Sequence, residues 1–138
     1  MQTFLPYKDF KKTAKCLDYK RLGKQRVECW QLIQAIEGKT KGWRNHPAAK
    51  MWKNNIGALI NYAIEICNEW RARNYKDSML ERFIELKKKY SKDSLPFWFN
   101  DDRLFSSHRS NLLRKDSGYY KSYGWVEDDS LPYFWPAS

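Results

Sequence analysis

A chain of 138 residues with 42% hydrophobic residues, including 7 Trp, 9 Tyr and 7 Phe, holds enough apolar material for one packed domain, which excludes disorder as its bulk state. Its 26 Lys and Arg against 16 Asp and Glu leave a net charge of +10, so one face is electropositive and a polyanion is the first partner to consider. No run of about 18 apolar residues reads as a membrane span, and the N-terminus MQTFLPYKDFKK lacks the layout of a secretory signal, so a cytoplasmic protein that needs no membrane is expected.

In chain order, Asp9 can cap a short helix to about Cys16, and Asp18 a longer one to about Glu37, ended by Gly38. Cys16, Cys29 and Cys67 are odd in number and far apart, which suits reduced, buried thiols better than a disulfide framework or a zinc site. On the longer helix Leu22, Cys29, Ile33 and Ile36 form one stripe, with Trp30 and Leu32 on its shoulders. The loop GKTKGWRN follows, and His46-Pro47 begins a helix, with Ala48 to Asn55 joining or abutting the next. Ile56, Leu59, Ile60, Ala63, Cys67 and Trp70 make that next helix the centre of the core. Asp77 can cap a helix from Ser78 to about Lys89 that buries Leu80, Phe83 and Leu86 or Tyr90. A polar stretch with Pro96 leads to a last helix near Ser107 to Lys115, then an aromatic, turn-rich tail. Strand alternation never exceeds four residues, and no repeat or linker is visible, so residues 1–138 are expected to form a single all-α domain.

Four clusters carry candidate chemistry. On the long helix Arg21, Lys24, Gln25 and Glu28 share a flank beside the apolar stripe, with Asp18 nearer its centre; that flank would either edge a cleft or be a solvated face with helix ion pairs such as Lys24 with Glu28. Arg26 lies on the core side between Leu22 and Cys29, where a guanidinium needs a carboxylate or phosphate, unless its stem snorkels outward. Trp43-Arg44-Asn45-His46-Pro47 runs into a helix N-terminus, which favours a phosphate; equally, Asn45 could cap the helix with Trp43 packed beneath the loop.

In SHRSNLLRK, His108, Asn111 and Lys115 share a face while Arg109 and Arg114 point elsewhere, as either a DNA contact or a solvated basic helix. Tyr119-Tyr120-Lys121-Ser122-Tyr123-Gly124-Trp125 interleaves aromatics with a lysine, a composition suited to stacking on bases beside a phosphate contact. About half of those rings are expected to face solvent. No P-loop, G-x-S-x-G, H-E-x-x-H or Gly-rich dinucleotide turn is present, and with two separated histidines neither a metal nor a cofactor is expected.

The strings LDYKRLGKQRVE (17 to 28), WRNHPAAKMW (43 to 52), CNEWRARNYKDS (67 to 78) and SHRSNLLRK (107 to 115) resemble those of small bacterial and phage proteins grouped with the pyrimidine dimer DNA glycosylases. The tail YYKSYGW is similar to the aromatic-lysine-aromatic-glycine stretch that lies by the DNA in the family's phage prototype, of the endonuclease V type. This resemblance implies a compact helical fold and a metal-independent N-glycosylase acting on double-stranded DNA, with an associated abasic-site lyase and no obligatory protein partner. It would work at a bacterial nucleoid or in a phage-infected cell.

The family's lyase uses an α-amine, exposed by removal of the initiator methionine, to attack the sugar C1′ and form a Schiff base. An unperturbed α-amine, with a pKa of about 7.7 to 8.0, is partly unprotonated at neutral pH. Here Gln2 follows Met1 and is too bulky for efficient methionine removal, so the amine would belong to Met1 or go unused. The resemblance matches Glu28 to the family's helix glutamate, with Asp18 as second choice, and Arg26 and Arg21 to its arginines. Without an amine, Glu28 or Asp18 could activate water and stabilise an oxocarbenium-like sugar. DNA contacts are expected from Lys24, Arg44, Asn45, His46, His108, Arg109, Asn111, Lys115, Tyr119, Tyr120, Lys121, Tyr123 and Trp125. The alternative is a non-catalytic DNA-binding protein on the same scaffold.

Overall fold

The computed structural model describes residues 2–92 and 94–136; Met1, named above as an amine candidate, lies outside them. Those residues form seven α-helices and two 3-10 turns, with no strand among them, so the all-α expectation holds. In α1 (Phe10–Cys16) the Asp9 carboxylate accepts from the Lys12 N–H at 2.8 Å. In α2 (Tyr19–Ile36) Asp18 accepts from the Arg21 N–H at 3.4 Å, and beyond the Glu37 C-cap Gly38 turns the chain at φ 79°, a left-handed conformation that costs glycine little.

Helix α3 (Pro47–Trp52) is capped by His46 rather than Asn45: Nδ1 of His46 accepts from the Ala48 N–H at 3.0 Å. It abuts α4 (Ile56–Ala72), whose residues Leu59, Ile60, Tyr62, Ala63, Ile66 and Cys67 are buried and against which α1, α2 and α5 (Leu80–Lys87) pack. Helix α5 is shorter than the pattern suggests and buries Phe83 alone, with Leu80, Leu86 and Tyr90 half-buried.

The stretch expected to be polar around Pro96 carries an aromatic turn. A 3-10 turn (Phe97–Asn100) buries Trp98 and Phe99, and α6 (Asp102–Lys115) starts five residues before Ser107 because Asp101 caps it, accepting from the Arg103 N–H at 3.1 Å. Nor is α6 the last helix: α7 (Ser117–Tyr120) follows, capped by Asp116, then a 3-10 turn (Lys121–Tyr123) ending at Gly124. The core takes up much of the aromatic content. Trp52 and Trp98 meet edge to face at 4.9 Å, and Phe10 makes edge contacts with Tyr62 and Phe99, both at 5.6 Å.

All three cysteines are buried and free. Burial pushes the Cys16 and Cys67 thiols up to about 12, which leaves little nucleophilic thiolate.

The N-terminal segment is the feature that positions the site. Residues 2–6 are buried yet belong to no helix, so side chains must satisfy their backbone groups. The Gln2 N–H donates to Glu28 Oε2 at 3.3 Å, the Phe4 N–H to Gln25 Oε1 at 3.3 Å, and the Leu5 N–H to His108 Nδ1 at 2.8 Å. The Gln2 carbonyl accepts from Gln25 Nε2 at 2.8 Å and the Phe4 carbonyl from the Tyr62 hydroxyl at 2.7 Å. A polar ladder from α2, α4 and α6 therefore holds the chain's beginning in place.

Candidate active site

A cleft of about 330 Å³ opens where this N-terminal segment meets α2 and the end of α6. Lys20, Arg21, Lys24 and Lys115 supply four cations to its lining; Gln2, Phe4, Gln25, Glu28 and Tyr133 complete it. The flank read from the helical period thus becomes one wall, because Arg21, Lys24, Gln25 and Glu28 recur at three and four residues. Glu28 is 8% exposed. Its Oε2 accepts from the Gln2 N–H and from Gln25 Nε2, both at 3.3 Å, and its Oε1 lies 3.6 Å from Lys24 Nζ. Opposite charges and hydrogen-bond donors thus offset the cost of burying that carboxylate.

Asp18 stands nearby at the start of α2, buried, with both oxygens 3.2 Å from Arg21 Nη1. Its carboxylate also accepts from the Tyr120 hydroxyl, and its N–H donates to the same oxygen at 2.9 Å. Asp18 is therefore occupied as a helix cap and as an anchor for the tail. The Gln2 side chain is held too, with Oε1 accepting from the Thr3 N–H at 2.8 Å.

Several expected contacts lie elsewhere. Arg26 does not line the cleft: Nη1 meets Asp77 Oδ1 at 2.6 Å and the guanidinium covers Trp70 at 4.7 Å. Asp77, itself fully buried at its side chain, also accepts from the Met79 and Leu80 N–H groups. Burial would raise its pKa, but these donors outweigh that and hold its carboxyl below the usual range. Arg26 thus has the carboxylate partner its position demands, and the pair ties α2 to the start of α5.

His108 and Asn111 are buried and turned inward. Asn111 Nδ2 donates to the Ser107 carbonyl at 2.7 Å and to the Leu131 carbonyl at 3.1 Å. Arg109 forms a two-pronged pair with Glu127 at 3.0 and 2.8 Å and donates to the Pro6 carbonyl at 2.8 Å. That pairing holds the Glu127 carboxyl at about 2 against the opposing effect of burial. His108, Asn111 and Tyr120 are buried, which takes them out of the solvent-facing set.

In the tail, Tyr120 stacks on Trp125 at 5.5 Å with planes 15° apart, while Tyr119, Lys121 and Tyr123 are exposed and Trp125 is half-buried. This matches the expected division of the rings. Arg44 and Asn45 line a separate opening of about 290 Å³ with Lys50 and Lys53, and His46 is half-buried between Trp43 and Trp135.

Gln2, Phe4, Lys20 and Tyr133 join the cleft without having been expected there. Nothing in a local pattern marks Gln2 or Phe4, although the aromatic run PYFWP was a signal for Tyr133. Among the described residues no group of three His, Cys, Asp or Glu could hold a metal ion, and no helix is long and apolar enough to cross a membrane.

A comparison with protein families matches residues 1–82, more than half the chain, to the model described as pyrimidine dimer DNA glycosylase. The matched span contains α1 to α4 and every cleft residue except Lys115 and Tyr133. Among curated proteins and among solved structures no match was found.

Proposed function

This chain belongs to the pyrimidine dimer DNA glycosylase family, and from that premise we propose that it removes a damaged or modified base, of pyrimidine dimer type, from double-stranded DNA, with an associated abasic-site lyase step. The observation that carries the proposal is the 3.3 Å contact between the Gln2 nitrogen and Glu28 Oε2 in a cleft lined by four cations. The start of the chain, where the family keeps its amine, is anchored beside the carboxylate that the resemblance picks out.

In this reading Lys20, Arg21, Lys24 and Lys115 hold phosphates around the target nucleotide. The terminal amine attacks C1′, the bond from C1′ to the base nitrogen breaks, and the base leaves with that electron pair and takes up a proton. Glu28 stabilises the positive charge that develops on the sugar and accepts the proton the amine gives up. Ring opening then gives the imine from which strand cleavage proceeds.

A monofunctional variant is favoured by one observation: Gln2 is too large for efficient removal of the methionine before it. Glu28 would then activate water in place of the amine. Incubation with ultraviolet-irradiated duplex, followed or not by alkali, separates the readings. Incision without alkali supports the lyase, incision only after alkali supports the monofunctional enzyme, and binding with no base release overturns both. Intact mass of the purified protein and borohydride trapping would identify the nitrogen that forms the adduct.

A further inference from the structure

Along α2 from the cleft, an aromatic ladder reaches the surface. Trp70 of α4 lies against Gly23, where a Cβ would stand 2.8 Å from the indole, so only glycine admits the ring. Tyr75 stacks on Trp70 at 4.3 Å with planes 26° apart, and Tyr19 continues the stack onto Tyr75 at 6.4 Å and 28°. The two outer rings are 53% (Tyr19) and 43% (Tyr75) exposed.

The ladder is fixed from beneath. Trp70 Nε1 donates to the Lys76 carbonyl at 2.9 Å, the Arg26 guanidinium covers the same indole, and Asn74 turns the chain at φ 70° just before Tyr75. Each outer ring is followed in sequence by an exposed lysine, Lys20 or Lys76. The nearby carboxylates are engaged: Asp18 by Arg21, Glu69 by Arg73, and Asp77 by Arg26 and Arg71. The charge presented beside the rings is therefore positive. Lys20, the residue after Tyr19, also lines the cleft, which occupies another flank of α2.

We infer that Tyr19 and Tyr75 form a stacking platform for an unpaired nucleobase, extruded from the duplex beside the nucleotide being processed. The inference rests on the DNA reading above and adds where such a base lands. An enzyme that works at the glycosidic bond must open the base stack, and rigid rings flanked by ammonium groups suit an unpaired base: the ring takes the base and the lysine takes the phosphate. A phosphate contact alone has no use for two nearly parallel exposed rings, and a purely apolar partner would have to cover the lysines.

The test compares affinity for a fully paired duplex and for the same duplex with one unpaired nucleotide, by fluorescence anisotropy at fixed salt. Wild type should prefer the second. Tyr19→Ala and Tyr75→Ala should each weaken binding to it about 5- to 150-fold and leave the paired duplex within about twofold, while Tyr19→Phe should keep the preference. Thermal melting checks the fold; if Tyr75→Ala unfolds, Tyr19→Ala decides, since that ring is exposed on the first turn of α2. Alanine variants indistinguishable from wild type, or a phenylalanine variant as impaired as alanine, would overturn the platform. A wild type with no affinity for either duplex would overturn the DNA reading itself, so the two failures are distinct.

Discussion

The Tyr120 hydroxyl and Asp18 are bonded in both directions: the phenol oxygen accepts from the Asp18 N–H at 2.9 Å and its proton goes to the Asp18 carboxylate. Burial first, and then this carboxylate, raise the pKa of the phenol, so it stays a donor at every working pH. A residue of the tail thereby holds the cap of the helix that forms the cleft wall. Tyr120→Phe leaves the Asp18 N–H without that acceptor inside the protein, and should cost about 1 to 3 kcal/mol in urea unfolding. Tyr119→Phe, at an exposed ring, should change stability by less than about 0.5 kcal/mol.

The Arg26–Asp77 pair predicts a structural role for an arginine that the family resemblance matches to the active site. Removing one partner of a buried pair leaves an uncompensated charge, which costs about 3 to 5 kcal/mol. Arg26→Met should fall near the lower end of that range, because Arg71 still reaches Asp77 Oδ2 at 3.2 Å. Base release per folded molecule should be unchanged in this variant. A full-strength fold with lost activity would return Arg26 to the catalytic set.

His108 makes the fold sensitive to mild acid. Its Nδ1 accepts from the Leu5 N–H, so the neutral ring carries its proton on Nε2. Burial, then the neighbouring Arg109, push its pKa down to about 3. An unfolded histidine titrates near 6.5. Between those values the unfolded chain binds the extra proton, so stability is complete above about pH 6.5 and falls by roughly 1.4 kcal/mol per pH unit below it. In His108→Gln, whose side-chain oxygen can still accept from Leu5, urea midpoints measured from pH 7 to 5 should decline less steeply than in wild type.

What could be read in advance was local. Asp9, Asp18 and Gly38 act within a few residues of where they sit, and the stripe of Leu22, Cys29 and Ile33 follows from the helical period alone. The same period grouped Arg21, Lys24, Gln25 and Glu28 correctly, since a helix flank is fixed once the helix is. The other wall of the cleft depends on contacts over long separations. Gln2 meets Glu28 across 26 residues, Leu5 meets His108 across 103, and Asp18 meets Tyr120 across 102. No window of sequence holds both partners. His108 and Asn111 looked like surface groups because a polar side chain on a basic helix has the same local pattern whether it bonds phosphate or a buried backbone strap.

Salt dependence tests the basic face. If the cleft cations and the exposed Lys121 hold phosphates, as proposed above, log affinity for duplex should fall linearly with log salt, at a slope of about 0.9 per phosphate contacted. Lys121→Ala should reduce that slope by about one and weaken all sequences alike, because a phosphate contact carries no sequence information. An affinity that does not change with salt would remove the nucleic-acid reading.

The sharpest prediction concerns Glu28. In Glu28→Gln the amide oxygen can still accept from the Gln2 N–H and the Gln25 amide, so the N-terminal strap should stay docked and the melting temperature should shift little. DNA binding should hold or tighten, since a carboxylate that repels phosphate has gone from a cleft lined by Lys20, Arg21, Lys24 and Lys115. Base release should nevertheless fall by orders of magnitude, because a neutral amide neither takes a proton nor stabilises positive charge on the sugar. The measurement is single-turnover release from irradiated duplex, with alkali added so that both mechanisms report. Full activity in Glu28→Gln would move the chemistry to Asp18, whose replacement by asparagine is the control. Activity surviving both substitutions would mean that neither Glu28 nor Asp18 drives the reaction.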